Sequence, residues 1–139
     1  MLRSNLLSAG ACVLALSGCA NPQTFQAALS GAQQVPANSA AGTGTMTARF
    51  QPDTMAMTYN VQYTGLSGPA TGAHIHGPAG PGANAPVIIP FANAASPITG
   101  GVTLTPAQAD QIAAGQSYVN IHTAANPNGE IRGQIARTQ

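Results

Sequence analysis

Along most of this chain apolar and polar residues alternate one for one. That is the period of a strand with one face on a core and the other toward water. Phe25, Ala27 and Leu29 share one face of a first run. Met46, Ala48 and Phe50 alternate with Thr45, Thr47 and Arg49. Gln51-Pro52-Asp53-Thr54 follows, with Pro where a type I turn favours it. Met55, Met57, Tyr59, Val61 and Tyr63 then alternate with Ala56, Thr58, Asn60 and Gln62. The two runs and their turn predict a hairpin. Three methionines close together can ligate soft copper, but on an apolar strand face methionine serves more often as flexible core filler.

The second clear hairpin lies near the C-terminus. Tyr118 to His122 places Val119 and Ile121 on one face and Tyr118, Asn120 and His122 on the other. Glu130 to Ile135 places Ile131 and Ile135 against Glu130, Arg132 and Gln134. The turn formers Asn126-Pro127-Asn128-Gly129 lie between. A slip by one residue would mix the two faces. The register that keeps them apart sets Asn120 opposite Arg132 and His122 opposite Glu130. It predicts a polar face displaying His, Glu, Arg and amides.

Shorter runs complete the pattern. Ala73-His74-Ile75-His76 is a strand stopped by Gly77-Pro78, and residues 79–85 form a Gly/Pro loop. Pro86 to Pro90 is an apolar run between prolines, which suits a strand near an edge. Gly100 to Leu104 is a weaker strand. One helix is marked by Thr105 as N-cap, Pro106 at the first helical position and Gln108 completing a capping box. Its predicted length is about ten residues. Ala109, Ile112 and Ala113 form its apolar face, and Gly115 supplies a left-handed stop. Seven or eight short strands with one short helix predict an all-β antiparallel sandwich.

Composition narrows the function. Of 139 residues only 5% are charged, with neither Lys nor Trp, and the formal charge is +1. No basic patch exists for a nucleic acid. No nucleophile elbow, phosphate loop or paired acids appear, so no catalytic residues are assigned, and the residues lean away from an enzyme without deciding the point.

The first residues read as an export signal. Arg3 is a short positive region, and Leu6 to Leu16 is apolar but too short to span a bilayer. Leu16-Ser17-Gly18-Cys19 looks like a bacterial lipobox, in which the cysteine is lipidated and becomes the new N-terminus. The expected organisation is a signal at 1–18, a lipidated tether at 19–24 and one domain at 25–136. The expected location is the cell envelope, anchored to a membrane through Cys19, on the periplasmic side of an outer membrane or at the surface. Cys12 leaves with the signal, so the domain must hold without a disulfide.

Four separated segments carry a family resemblance. They are Phe25 with Leu29-Ser30-Gly31-Ala32-Gln33-Gln34-Val35-Pro36, then Ala73-His74-Ile75-His76-Gly77, then Ala114-Gly115 with Tyr118-Val119-Asn120-Ile121-His122-Thr123, and finally Asn128-Gly129-Glu130-Ile131-Arg132-Gly133-Gln134. In order and spacing they resemble the CHRD domain, named for its occurrence in chordin. The resemblance implies a compact immunoglobulin-like or superoxide-dismutase-like β domain. The chordin context implies binding of a partner, here an envelope protein or glycan.

All three histidines fall in these motifs. His74 and His76 are two apart on one strand and so share a face, roughly 6 to 7 Å apart at Cα. Two imidazoles at that spacing can hold one metal with a third from a neighbouring strand. His122 is that third ligand if its strand lies alongside. Three imidazoles suit copper or zinc. The His-x-His strand also looks like the copper strand of copper-zinc superoxide dismutases, but this chain has too few histidines for their double site and lacks their disulfide. Tyr118, Asn120, Glu130 and Arg132 are candidates to orient the imidazoles, with Glu130 receiving an imidazole N–H. Equally, these residues can form a structural network, in which Arg132 pairs with Glu130. Two functions follow from the residues: a binding module with an envelope partner, or a metal-binding protein.

Overall fold

The computed structural model describes residues 20–138, so the expected signal segment and Cys19 lie outside the described residues. The strands are β1 (Gln23–Ser30), β2 (Thr43–Gln51), β3 (Ala56–Thr64), β4 (Ala70–His76), β5 (Val87–Pro90), β6 (Ile98–Thr103), β7 (Tyr118–Thr123), β8 (Ile131–Gln134) and the two-residue β9 (Ala136–Arg137). One helix, α1 (Pro106–Ala113), sits between β6 and β7. No helix among the described residues is long and apolar enough to cross a membrane.

All pairings are antiparallel, in the order β5-β4-β7-β8-β1-β2-β3-β6. The path folds over where β8 meets β1, a contact in which Ser30 faces Arg132. Gly133 permits this close crossing, because a Cβ there would stand 2.5 Å from the Ala28 carbonyl oxygen. The result is a curled, sandwich-like all-β fold.

The alternation read from the sequence decides the core. Phe25, Ala27 and Leu29 of β1, Met46, Ala48 and Phe50 of β2, and Met57 and Val61 of β3 point inward. Ala73, Ile75, Val119, Ile121 and Ile131 meet them from β4, β7 and β8. Each large side chain so buried contributes about 1.5–3 kcal/mol. Met46 and Met57 are core filler, as expected, and Met55 packs beside them. The hairpin registers are those the pattern requires: Met46 faces Val61, and Asn120 faces Arg132.

The helix carries the anticipated capping box. Thr105 Oγ1 accepts from Gln108 N–H, and Gln108 Oε1 accepts from Thr105 N–H. Gly115 follows with φ +70°, the left-handed stop. The helix is eight residues rather than about ten, and only Ile112 is fully buried. Ala113 is exposed, because the helix rests on the fold along a single line of contact.

One expectation is overturned. The polar face of β7 and β8 is roofed rather than displayed. Tyr118, Asn120, Glu130 and Arg132 are each 4% exposed or less. Two loops cover them. Gln34 donates to Asn120 Oδ1 from the segment after β1, where a short 3₁₀ turn spans Gly31–Gln33. The loop after β4 brings down the carbonyls of Ala79, Gly80 and Ala83, which accept from Gln134 and Arg132. Buried polar groups need partners, and these loops supply them.

Candidate metal centre

Strand β4 lies directly beside β7, with His76 opposite Tyr118, His74 opposite Asn120 and Gly72 opposite His122. His74, His76 and His122 therefore emerge on one face, and Ile75, Val119 and Ile121 fill the core behind them. One ring nitrogen of each histidine lies within 4.8 Å of the other two. Nitrogens sharing a metal at about 2.0–2.1 Å stand roughly 3.3–3.6 Å apart, so small side-chain rotations suffice to close the site.

Hydrogen bonds fix the tautomers. A carbonyl only accepts, so His76 Nδ1–H donates to Ala85 O at 2.9 Å. His122 Nδ1–H donates to Pro127 O at 3.0 Å. In both neutral rings Nε2 then carries the lone pair. His76 Nε2 is buried and has no hydrogen-bond partner. His122 Nε2 lies 3.2 Å from His74 Nδ1, which is the donor in that contact while no metal is bound. His74 Nδ1 would be able to hold a metal once this one proton had moved to His74 Nε2.

The rings are held from the sides. Gly72 leaves room for His74, since a Cβ there would come within 3.3 Å of His74 Cε1. Tyr118 stacks on His76 with centroids 4.9 Å apart and an interplanar angle of 5°. The Tyr118 hydroxyl meets the backbone N–H and carbonyl of Ala85, the residue that receives His76 Nδ1–H. The Arg132 guanidinium carbon lies 3.4 Å from the Tyr118 ring centroid. Its nitrogens donate to Asn84 Oδ1 and to the Gly80 and Ala83 carbonyls, which shapes the loop that ends at Ala85.

Electrostatics favours neutral, ligating imidazoles. Burial is the main cause that lowers the pKa of His74, with His122 and His76 adding to it. Burial also lowers His76, against the opposing pull of the Ala85 carbonyl, and the charges of His122 and Arg132 act in the same direction as burial.

Three of the expected roles do not hold. Glu130 does not orient an imidazole, and it does not pair with Arg132. Its carboxylate accepts from Ser67 N–H at 2.7 Å, Ser67 O–H at 2.6 Å, Thr123 O–H at 2.5 Å and Asn126 at 3.1 Å. Burial raises its pKa, but those donors together outweigh burial and hold it below the ordinary carboxylate value. The physical reason is local: Thr123 and Asn126 lie within the same hairpin, and Ser67 is brought to it by the turn after β3. Asn120 likewise bonds Gln34 and Asn128 rather than a histidine. Tyr118 and, through it, Arg132 are the residues that touch the site. Sequence reasoning missed Gly72, Ala85 and Pro127, two of which act through backbone carbonyls that no side-chain pattern reveals.

No curated protein and no solved structure matched the chain. The model of the CHRD domain matches residues 25–135. That span runs from the first core residue of β1 to Ile135 and includes every residue of the histidine cluster, and the chain belongs to the CHRD domain family.

Proposed function

We propose that this CHRD domain is a non-enzymatic binding module of the bacterial cell envelope whose ligand is a transition metal ion, copper or zinc, held by His74, His76 and His122. One observation carries the reading: three ring nitrogens from two adjacent strands converge within 4.8 Å, and backbone carbonyls tie two of the rings so that Nε2 is free to ligate. A buried, unpartnered imidazole nitrogen is costly unless something binds it. Three neutral imidazoles match the donor preference of copper and zinc.

The reading includes an anchor through lipidated Cys19. Ala20 is fastened to the β2–β3 turn by Asp53 and Gln51. His122 lies toward the other end of the strands, next to Glu130 and its Ser67 contact. A tether at Cys19 would therefore hold the histidines away from the membrane.

The test is a titration of the purified, metal-stripped protein with copper and zinc, beside the His74→Ala/His76→Ala double variant. Stoichiometric binding that the variant loses supports the site. Equal binding by both proteins, or by neither, removes it.

A second reading, an envelope glycan or protein as ligand, is favoured by the outer face of β1, β2, β3 and β6. There Gln26, Thr47, Asn60 and Thr99 form a neutral row of amides and hydroxyls across four strands. Retention of envelope polysaccharide or protein that is lost on Thr47→Lys with Asn60→Lys would support it. Retention that the double variant leaves unchanged would sink it.

A further inference from the structure

The histidine cluster includes no acidic ligand among the described residues. All three donors are imidazoles, and none is a carboxylate or a thiolate. Glu130, the acid nearest in the strand register, has its oxygens engaged by Ser67, Thr123 and Asn126, so it supplies the site with no ligand atom. On the side of Tyr118 stands Arg132, 1% exposed. Among the described residues its hydrogen bonds go only to neutral oxygens, those of Asn84, Gly80 and Ala83. This buried guanidinium has no carboxylate among its hydrogen-bond partners and stacks on the ring that itself stacks on His76.

We propose that the site selects monovalent copper over divalent ions, and that Arg132 is the residue that sets this preference. The proposal rests on the metal reading above and adds the identity of the ion. Two physical reasons support it. A fixed, poorly screened cation repels a doubly charged ion twice as strongly as a singly charged one. No carboxylate ligand is present to offset that difference. The donor count points the same way. A divalent zinc completes a tetrahedron with a fourth ligand, which here would have to be water, because among the described residues no fourth His, Cys, Asp or Glu joins the cluster. Monovalent copper accepts three-coordinate, trigonal geometry, and three imidazoles are enough to complete it. Arg132 also acts mechanically, since it shapes the loop whose Ala85 carbonyl sets the His76 tautomer. Its charge and its packing are therefore tested separately.

The experiment measures affinity for Cu(I), anaerobically against a chromophoric chelator, and for Zn(II) against a zinc chelator. The purified wild-type protein, Arg132→Gln and Arg132→Lys are compared, with thermal unfolding as a check on the fold. The wild type binds Cu(I) more tightly than Zn(II). Arg132→Gln narrows that gap about tenfold, mainly by strengthening Zn(II) binding, and Arg132→Lys retains most of it. Zinc bound as tightly as Cu(I) by the wild type overturns the proposal. So does a gap that is unchanged in a folded Gln variant or lost in the Lys variant. The wild-type ratio needs no variant, so a Gln protein that fails to fold does not shield the claim. Absence of any metal binding by the wild type would instead defeat the metal site itself.

Discussion

Tyr118 lies parallel to His76, with ring centroids 4.9 Å apart, and its hydroxyl meets the same Ala85 carbonyl that accepts the His76 Nδ1 proton. The tyrosine is thus a wall for the imidazole and a clamp on the peptide that orients it. Facing strands put the two residues opposite each other, His76 on β4 and Tyr118 on β7.

Tyr118→Phe keeps the ring and removes the hydroxyl contacts with Ala85. The variant is expected to lose about 1 kcal/mol in chemical denaturation. Tyr118→Leu also loses the stack with His76 and the support under Arg132, and is expected to lose about 2–4 kcal/mol. Equal stabilities for the two variants would show that the stack contributes nothing.

Gly72→Ala tests the position of His74 without touching a ligand. The added methyl would stand 3.3 Å from His74 Cε1, so the ring must move. Metal affinity is expected to fall about tenfold. Stability without metal should stay level or rise by up to about 1 kcal/mol, because alanine restricts the unfolded chain more than glycine does. Isothermal titration and urea unfolding of the same preparation separate the two effects. Unchanged affinity would show that the ring tolerates the shift.

The fold without metal should weaken in two acid steps. His74 and His76 have pKa values below the ordinary imidazole value of 6.5. Between the folded and unfolded values the unfolded chain holds more protons, so stability is complete above about 6.5 and falls as pH drops through the folded values. Glu130 is held below the ordinary carboxylate value of 4.5, so its contribution is present above that value and is lost at still lower pH. Glu130→Gln should cost about 1.5–3 kcal/mol at neutral pH and flatten the second step. Denaturant midpoints across this range check both steps, and a wild-type profile flat from pH 7 to pH 5 would contradict the first.

Gly133→Ala strikes the point where β8 crosses to β1. The new Cβ meets the Ala28 backbone, which cannot swing aside as a side chain can. A loss of about 1–3 kcal/mol or more is expected from forced overpacking. A thermal melt matching the wild type would show that the crossing is looser than this geometry requires.

The strands, their inward faces, the hairpin registers, the helix cap and the left-handed glycine after it were all legible in the chain. Each depends on neighbours a few residues apart: the period of two in a strand, the turn formers between β7 and β8, and the reach of Thr105 to Gln108. The His-x-His pair could be read the same way, since alternation alone puts His74 and His76 on one face.

Everything that joins distant segments had to wait for the tertiary structure. His122 is 48 residues from His74, and only the pairing of β4 with β7 brings them within 3.2 Å. Alternation records which face a residue takes but not which strand will lie alongside it. The same limit explains Glu130 and the roofed polar face. A carboxylate takes whichever donors the surrounding turns deliver, and here they came from Ser67, Thr123 and Asn126. The sequence by itself determined which residues face the core and that His74 and His76 share the opposite side of their strand. The tertiary structure decided that the imidazoles meet, that Arg132 is buried without an acid, and that backbone carbonyls set the tautomers, because each of these depends on contacts between segments that no local pattern encodes.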